Sequence, residues 1–251
     1  MINKVVESAA KAVADIESGA MIAFGGFVGV PGVPSTLIKA ISERNLRDLT
    51  IIACESGRGR AGSQNYGTRN RRAGQVTIPE PEDGVYPVGY LAELGQVRKA
   101  ISTFSAGGPL EDGVRRGDVE IELIGQGSLM ERLRCGRAGI AAFYTPVGAG
   151  TKIGIGKDVR HFDGVPHILE TALHPDFAIV AAHQADRFGN LVYRHGARTT
   201  NPVVAGSAKV TIAEVEEIVD YLDPNHIVTP GPYVDRIVRS SESLMVRGRD
   251  K

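Results

Sequence analysis

Apolar residues in this chain come in short runs that end on glycine or on a single polar residue, and the runs alternate with amphipathic stretches. MIAFGGF (21–27) and LTIIACE (49–55) read as short buried strands. Between them STLIKAISER (35–44) opens on Ser35, read as a helix cap, and puts Leu37, Ile38 and Ile41 on one face. Ahead of the first strand, Val5, Ala9, Ala12 and Ile16 recur at helical spacing, with Gly19 as the stop. Helix, strand, Gly-rich loop, helix, strand predicts an α/β fold with a mainly parallel sheet flanked by helices. The alternation resumes in RKAISTF (98–104), VEIELIG (119–125), the helix SLMERLRCG (128–136) and the strand GIAAFYTP (139–146). FAIVAAHQAD (177–186), NLVYR (190–194) and AKVTIAEV (208–215) supply further short strands. No internal repeat or linker divides the chain, so a single domain over 1–251 is expected.

One region breaks this rhythm. GRGRAGSQNYGTRNRRAGQ, from residue 57, carries five arginines, and VTIPEPEDGVYPVGY follows with three prolines. Residues 57–90 therefore read as a long loop or insertion, and loops of that length in compact domains usually serve function. Arg58, Arg60, Arg69, Arg71 and Arg72 are candidates for contacts to phosphate or carboxylate, against the plainer reading of a solvated loop.

Composition narrows the classes. Hydrophobic residues make up 42% and charged residues 23%, with Lys+Arg and Asp+Glu balanced at 29 each. That balance gives no push toward nucleic acid or a membrane surface. No apolar run approaches the roughly 18 residues of a membrane span, and Glu and Asp interrupt the apolar positions of the N-terminus, unlike a signal peptide. Cys54 and Cys135 are too few for a disulfide framework, so a cytoplasmic protein with reduced thiols is expected.

The candidate chemistry lies at strand ends. In GGFVGVPGVP (25–34), Gly25, Gly26, Gly29 and Gly32 would let a ligand approach the backbone, and the following helix N-terminus favours an anion. A tight βα loop is the plain alternative. The spacing departs from the dinucleotide fingerprint, so NAD is not expected. GAGTKIGIGKD (148–158) resembles a phosphate loop but lacks its Ser or Thr after the lysine, and reads as a turn. The six histidines show no ligand spacing, so no metal is expected. Gln126, in IGQGSL, ends a strand ahead of a helix cap, where an amide could orient a substrate carbonyl or simply mark helix entry. Glu55 ends the strand IIACE and turns into Ser56-Gly57, which raises the question of a nucleophile, a site wall or a solvated strand end.

Several stretches together resemble the A (alpha) subunit of the family I CoA-transferases, such as the acetate or 3-oxoacid enzymes. They are SGAMIAFGGFVGVPGVP (18–34), VEIELIGQGSLMERLRCGRAGIAAFYTPVGAGT (119–151), ADRFGNLVYRHGARTTNPVVAGSAKVTIAEVEEIVD (185–220) and DPNHIVTPGPYVDRIV (223–238), with GKDVRHFDG (156–164) also fitting. Two departures accompany it: about one extra residue near Val30-Pro31, and a longer arginine-rich segment. The resemblance implies transfer of CoA from an acyl-CoA to a free carboxylic acid through a glutamyl-CoA thioester. It implies that the nucleophilic glutamate sits on a beta subunit, in a heterodimer or heterotetramer. It assigns Gly25, Gly26, Phe27, Val28, Gly29, Val30 and Pro31, extending to Gly32, to CoA binding and Gln126 to positioning. Relatives usually carry Asn or Asp where this chain has Glu55, and Cys54-Glu55-Ser56-Gly57 is similar to the beta subunit's nucleophile turn. Glu55 is thus expected as a wall or positioning residue, with the covalent role a lesser possibility. Two rivals keep the scaffold: a CoA-ester hydrolase or C–C-cleaving enzyme, and a non-catalytic acyl-CoA or metabolite sensor.

Overall fold

A computed structural model describes residues 2–27, 32–56, 85–104 and 108–240. Its centre is a sheet built from β1 (Met21–Phe24), β2 (Leu49–Glu55), β3 (Val97–Phe104), β4 (Glu120–Leu123), β8 (Phe177–Asp186), β10 (Val210–Val219) and β11 (Arg236–Arg239). Their order across the sheet is β11-β10-β8-β1-β2-β3-β4, every pair along it parallel, and β9 (Leu191–Val192) adds an antiparallel partner to β8. The central strands β1, β2 and β8 are near-continuous apolar runs because both faces are covered, as parallel sheets require, whereas the edge strand β4 (EIEL) is half-exposed. One face packs Phe24, Ile51, Ala53 and Ile179 under α1 (Ala9–Ala12), α2 (Ser35–Ser42), α3 (Gly89–Glu93) and α4 (Pro109–Arg116). The other packs Ala23, Ile52, Ile101 and Val180 against α5 (Gln126–Ala138) and α6 (Asn201–Val204).

Chain order sets the function-bearing place. From β1 the chain moves outward through β2, β3 and β4, then returns to the other side of β1 with β8, β10 and β11. The gap between the carboxyl ends of β1 and β8 is therefore the topological switch point, where open α/β sheets bind ligands. The glycine segment begins there, directly after Phe24.

The structure corrects several local expectations. The first helix is one turn, Ala9–Ala12 capped by the Ser8 hydroxyl, and Val5 instead pairs with Ile237 beside β11. Ser35 is not the cap of α2: Pro34 holds that position, and the Ser35 hydroxyl accepts a hydrogen bond from Tyr86 N at 2.8 Å. Gln126 is the first residue of α5, with Gly125 as its cap, rather than a strand end. GIAAFYTP lies outside the main sheet. Its β5 (Ala142–Thr145) joins β6 (Val159–Phe162) and β7 (Val165–Thr171) in a separate antiparallel sheet of order β5-β7-β6. Most of the predicted insertion, with its five arginines, lies outside the described residues, and its last two positions, Gly89 and Tyr90, already belong to α3. Among the described residues, no helix is long and apolar enough to cross a membrane.

Candidate functional site

The parallel strands bring three sequence-predicted features to one edge of the sheet. The glycine segment follows β1, Glu55 closes β2 with its backbone paired to Phe104, and Gln126 opens α5 just beyond β4. At about 4.8 Å between strands, β2 and β4 stand about 10 Å apart across β3. Gln126 is exposed at this edge. Val28, Gly29, Val30 and Pro31 lie outside the described residues; Gly25, Gly26, Phe27 and Gly32 lie within them.

Both described ends of the glycine segment meet one strip of chain that the sequence patterns do not mark. Gly25 N donates to Ile179 O across to β8 (2.9 Å), and Gly26 N donates to the buried Thr200 Oγ1 (2.9 Å). Asn201, fully buried, then makes three contacts. Its Oδ1 accepts from Ala181 N (2.8 Å), and its Nδ2 donates to Gly32 O (3.0 Å) and Ala197 O (3.2 Å). These partners fix the amide's orientation, since a backbone N–H demands the oxygen and two carbonyls demand the nitrogen. The turn His195–Arg198, entered through His195 at φ 50°, delivers Ala197, Thr200 and Asn201 to this place.

The glycines are dictated by that neighbour. A Cβ on Gly25 would overlap Asn201 Oδ1. One on Gly32 would lie 2.7 Å from Ala197 Cα and 2.9 Å from Asn201 Nδ2, and its φ of 112° is in any case left-handed. Gly26, at φ 103°, would bring a Cβ within 2.9 Å of Gly32 O, so the two ends of the segment touch. Only glycine fits such approaches.

The helix N-terminus expected to hold an anion is already occupied. The Glu214 carboxylate, fully buried on β10, accepts from Leu37 N (3.0 Å) and from Ser240 Oγ (2.9 Å), and Thr36 bonds it as well. An internal carboxylate thus takes the place a ligand phosphate would have on α2. Burial raises the Glu214 pKa against the lowering pull of these hydrogen bonds.

Cys54, beside Glu55, is no alternative nucleophile. It is buried, and desolvation pushes its thiol up to about 11, so the reactive thiolate is scarce near neutrality. Thr103 Oγ1 donates to Cys54 O (2.6 Å), holding the end of β2 against β3. Thr200, Asn201 and Glu214 were not singled out from the sequence. The run TTNP carries a helix-start signal in Asn201-Pro202, but nothing in it tells that the amide points inward to the loop.

Comparison with known proteins finds relatives over most of the chain. The family model described as Coenzyme A transferase matches residues 6–78 and 76–240. The A subunit of the 3-oxoadipate CoA-transferase of Pseudomonas putida is 39% identical over 246 residues, covering 96% of this chain and 95% of the relative. The alpha subunit of the acetate CoA-transferase of Escherichia coli is 38% identical over 229 residues, covering 90% and 92%. Among solved structures, an acyl-CoA transferase from E. coli O157:H7 in a thioester complex with CoA shares the fold, with a TM-score of 0.71, at 20% identity, over 97% of this chain and 48% of that one. The chain belongs to the Coenzyme A transferase family.

Proposed function

We propose that this chain is the alpha subunit of a heteromeric CoA-transferase that moves CoA from an acyl-CoA to a free carboxylic acid. The observation that carries the reading is the end-to-end match to the A subunit of a known CoA-transferase, at 39% identity over 95% of that relative's length. The geometry is compatible, because the glycine segment opens at the switch point where such sheets take ligands.

In this reading a glutamate of the beta subunit first attacks the thioester carbonyl of the acyl-CoA and expels CoA thiolate, leaving an acyl-glutamyl anhydride. The thiolate then attacks the glutamyl carbonyl, releases the carboxylate and leaves a glutamyl-CoA thioester. An acceptor carboxylate runs the same steps backward. Splitting the exchange in this way replaces one slow step by four easier acyl transfers, two in each direction. The alpha chain supplies the backbone of residues 25–32 as a surface for CoA, which is substrate rather than resident cofactor. Gln126, exposed at the same edge, orients the reacting carbonyl through its amide. Glu55 forms part of the wall on β2 and positions rather than attacks. The single domain over 1–251 then works as one half of an active heterodimer or heterotetramer. We assign it to the cytoplasm, in keeping with two buried cysteines that remain free.

Co-expression with a beta subunit, followed by an assay of CoA exchange between an acyl-CoA and a labelled carboxylate, tests this. The complex should exchange CoA and the isolated chain should not. Robust exchange by the isolated chain would overturn the assignment.

A further inference from the structure

We infer that Thr200 and Asn201 are positioning residues for the CoA-binding glycine segment, and that positions 25 and 32 are glycine in order to admit Asn201 and its neighbour Ala197. The inference rests on the CoA-transferase reading above and adds to it a distant part of the chain. The two ties span 174 and 169 residues of sequence, so they join regions that only the folded sheet brings together.

Three observations carry it. Gly26 N, at the start of the segment, is held by Thr200 Oγ1, and Gly32 O, at its end, is held by Asn201 Nδ2. The same Asn201 amide accepts from Ala181 N of β8, so the segment is tied to the centre of the sheet as well as to the turn that carries Ala197. Finally, the space that a side chain at Gly25 or Gly32 would fill is occupied by Asn201 and Ala197, which are protein atoms and not ligand. Close approach of a ligand alone would not explain those two glycines.

The brace is itself secured. Arg137, near the end of α5, donates to Ala205 O (3.1 Å) and Pro202 O (3.4 Å) and lies over the Tyr233 ring, 4.7 Å from its centroid. The helix that presents Gln126 at its start therefore grips α6, which carries Asn201, at its other end. A backbone that must meet a ligand within a fraction of an ångström gains from such fixing, since misplacement by about 1 Å can cost about a hundredfold in rate.

The test uses three variants, each in complex with the beta subunit. Thr200→Val keeps the shape and removes the acceptor for Gly26 N. Thr200→Ser keeps the hydroxyl. Asn201→Asp keeps the oxygen for Ala181 N and loses the donor to Gly32 O. Amide hydrogen exchange at Gly26 and steady-state kinetics are measured together. In Thr200→Val the Gly26 amide should exchange about tenfold faster or more, and KM for acyl-CoA should rise about tenfold while KM for the acceptor acid holds within about twofold. Thr200→Ser should restore most of both, and Asn201→Asp should shift acyl-CoA KM in the same direction as Thr200→Val. Unchanged exchange in Thr200→Val overturns the inference. So does faster exchange with wild-type kinetics, or a loss of melting temperature in all three variants while KM and kcat of the folded enzyme stay put. A wild-type complex that moves no CoA would instead sink the transferase reading, and the Gly26 exchange rates would then judge the brace by themselves.

Discussion

Two glycine-rich segments of this chain, 25–32 and 148–156, look alike in sequence and are built in different ways. In the first, a fully buried asparagine occupies the space beside Gly25 and Gly32, and the backbone is tied to the core of a parallel sheet. In the second, added Cβ atoms at Gly150 and Gly156 would meet nothing within 4 Å, those at Gly148 and Gly154 would meet Ile153, Ile168 and the loop's own Gly148 O rather than a buried polar side chain, and the φ values of 72° and 80° at Gly150 and Gly156 serve turns in a loop between β5 and β6. The lysine that makes the second segment resemble a phosphate loop is also committed elsewhere: Lys157 Nζ pairs with the buried Glu170 at 2.5 Å. Glycine content alone does not distinguish a ligand surface from a turn. What differs between these two segments is that buried polar side chains, Thr200 and Asn201, hold the backbone of the first.

Alanine substitution should separate the two segments most sharply. Gly25→Ala forces a methyl group into Asn201 and is expected to cost about 2–3 kcal/mol of stability by overpacking, together with most of the turnover of the complex. Gly150→Ala meets open space and a left-handed φ, so it should cost about 1 kcal/mol and leave kcat and KM unchanged. Thermal melts with kinetics on both proteins check this, and equal losses at the two sites would erase the distinction.

A finer prediction concerns the carboxylate behind the first segment. The folded-state pKa of Glu214 is raised by burial above its unfolded value. Its contribution to stability is therefore fully present below the unfolded glutamate pKa, about 4.3, and is lost as pH rises through the folded pKa, because the folded state holds the proton more tightly. Glu214→Gln removes that titration. Melting temperatures measured across pH should show the variant gaining on wild type as pH rises from about 4, and a gap that is flat or narrows would contradict the account.

The central strands were legible because parallel strands buried on both faces leave near-continuous apolar runs, as in MIAF and TIIAC. The first helix was overextended because Val5 sits at helical spacing from Ala9 yet pairs with Ile237, more than 230 residues away. Periodicity cannot see such a partner. Gly25, Gly32 and Gln126 can be proposed from the sequence because glycines that follow an apolar run, and an amide just ahead of an amphipathic stretch, are local signals. Thr200 and Asn201 were missed because their role consists of contacts to residues about 170 positions upstream. Helix physics leads one to expect a ligand anion at the α2 N-terminus, but the Glu214 carboxyl group reaches that place from a strand late in the chain.

The central claim is that this chain is the half of a CoA-transferase that does not carry the nucleophile. The direct measurement is to incubate the complex with an acyl-CoA, quench it, and weigh each chain intact for a covalently bound CoA, using wild type and Glu55→Gln. The account predicts the adduct on the beta subunit in both proteins, with this chain unmodified. An adduct on this chain that disappears in Glu55→Gln would contradict it.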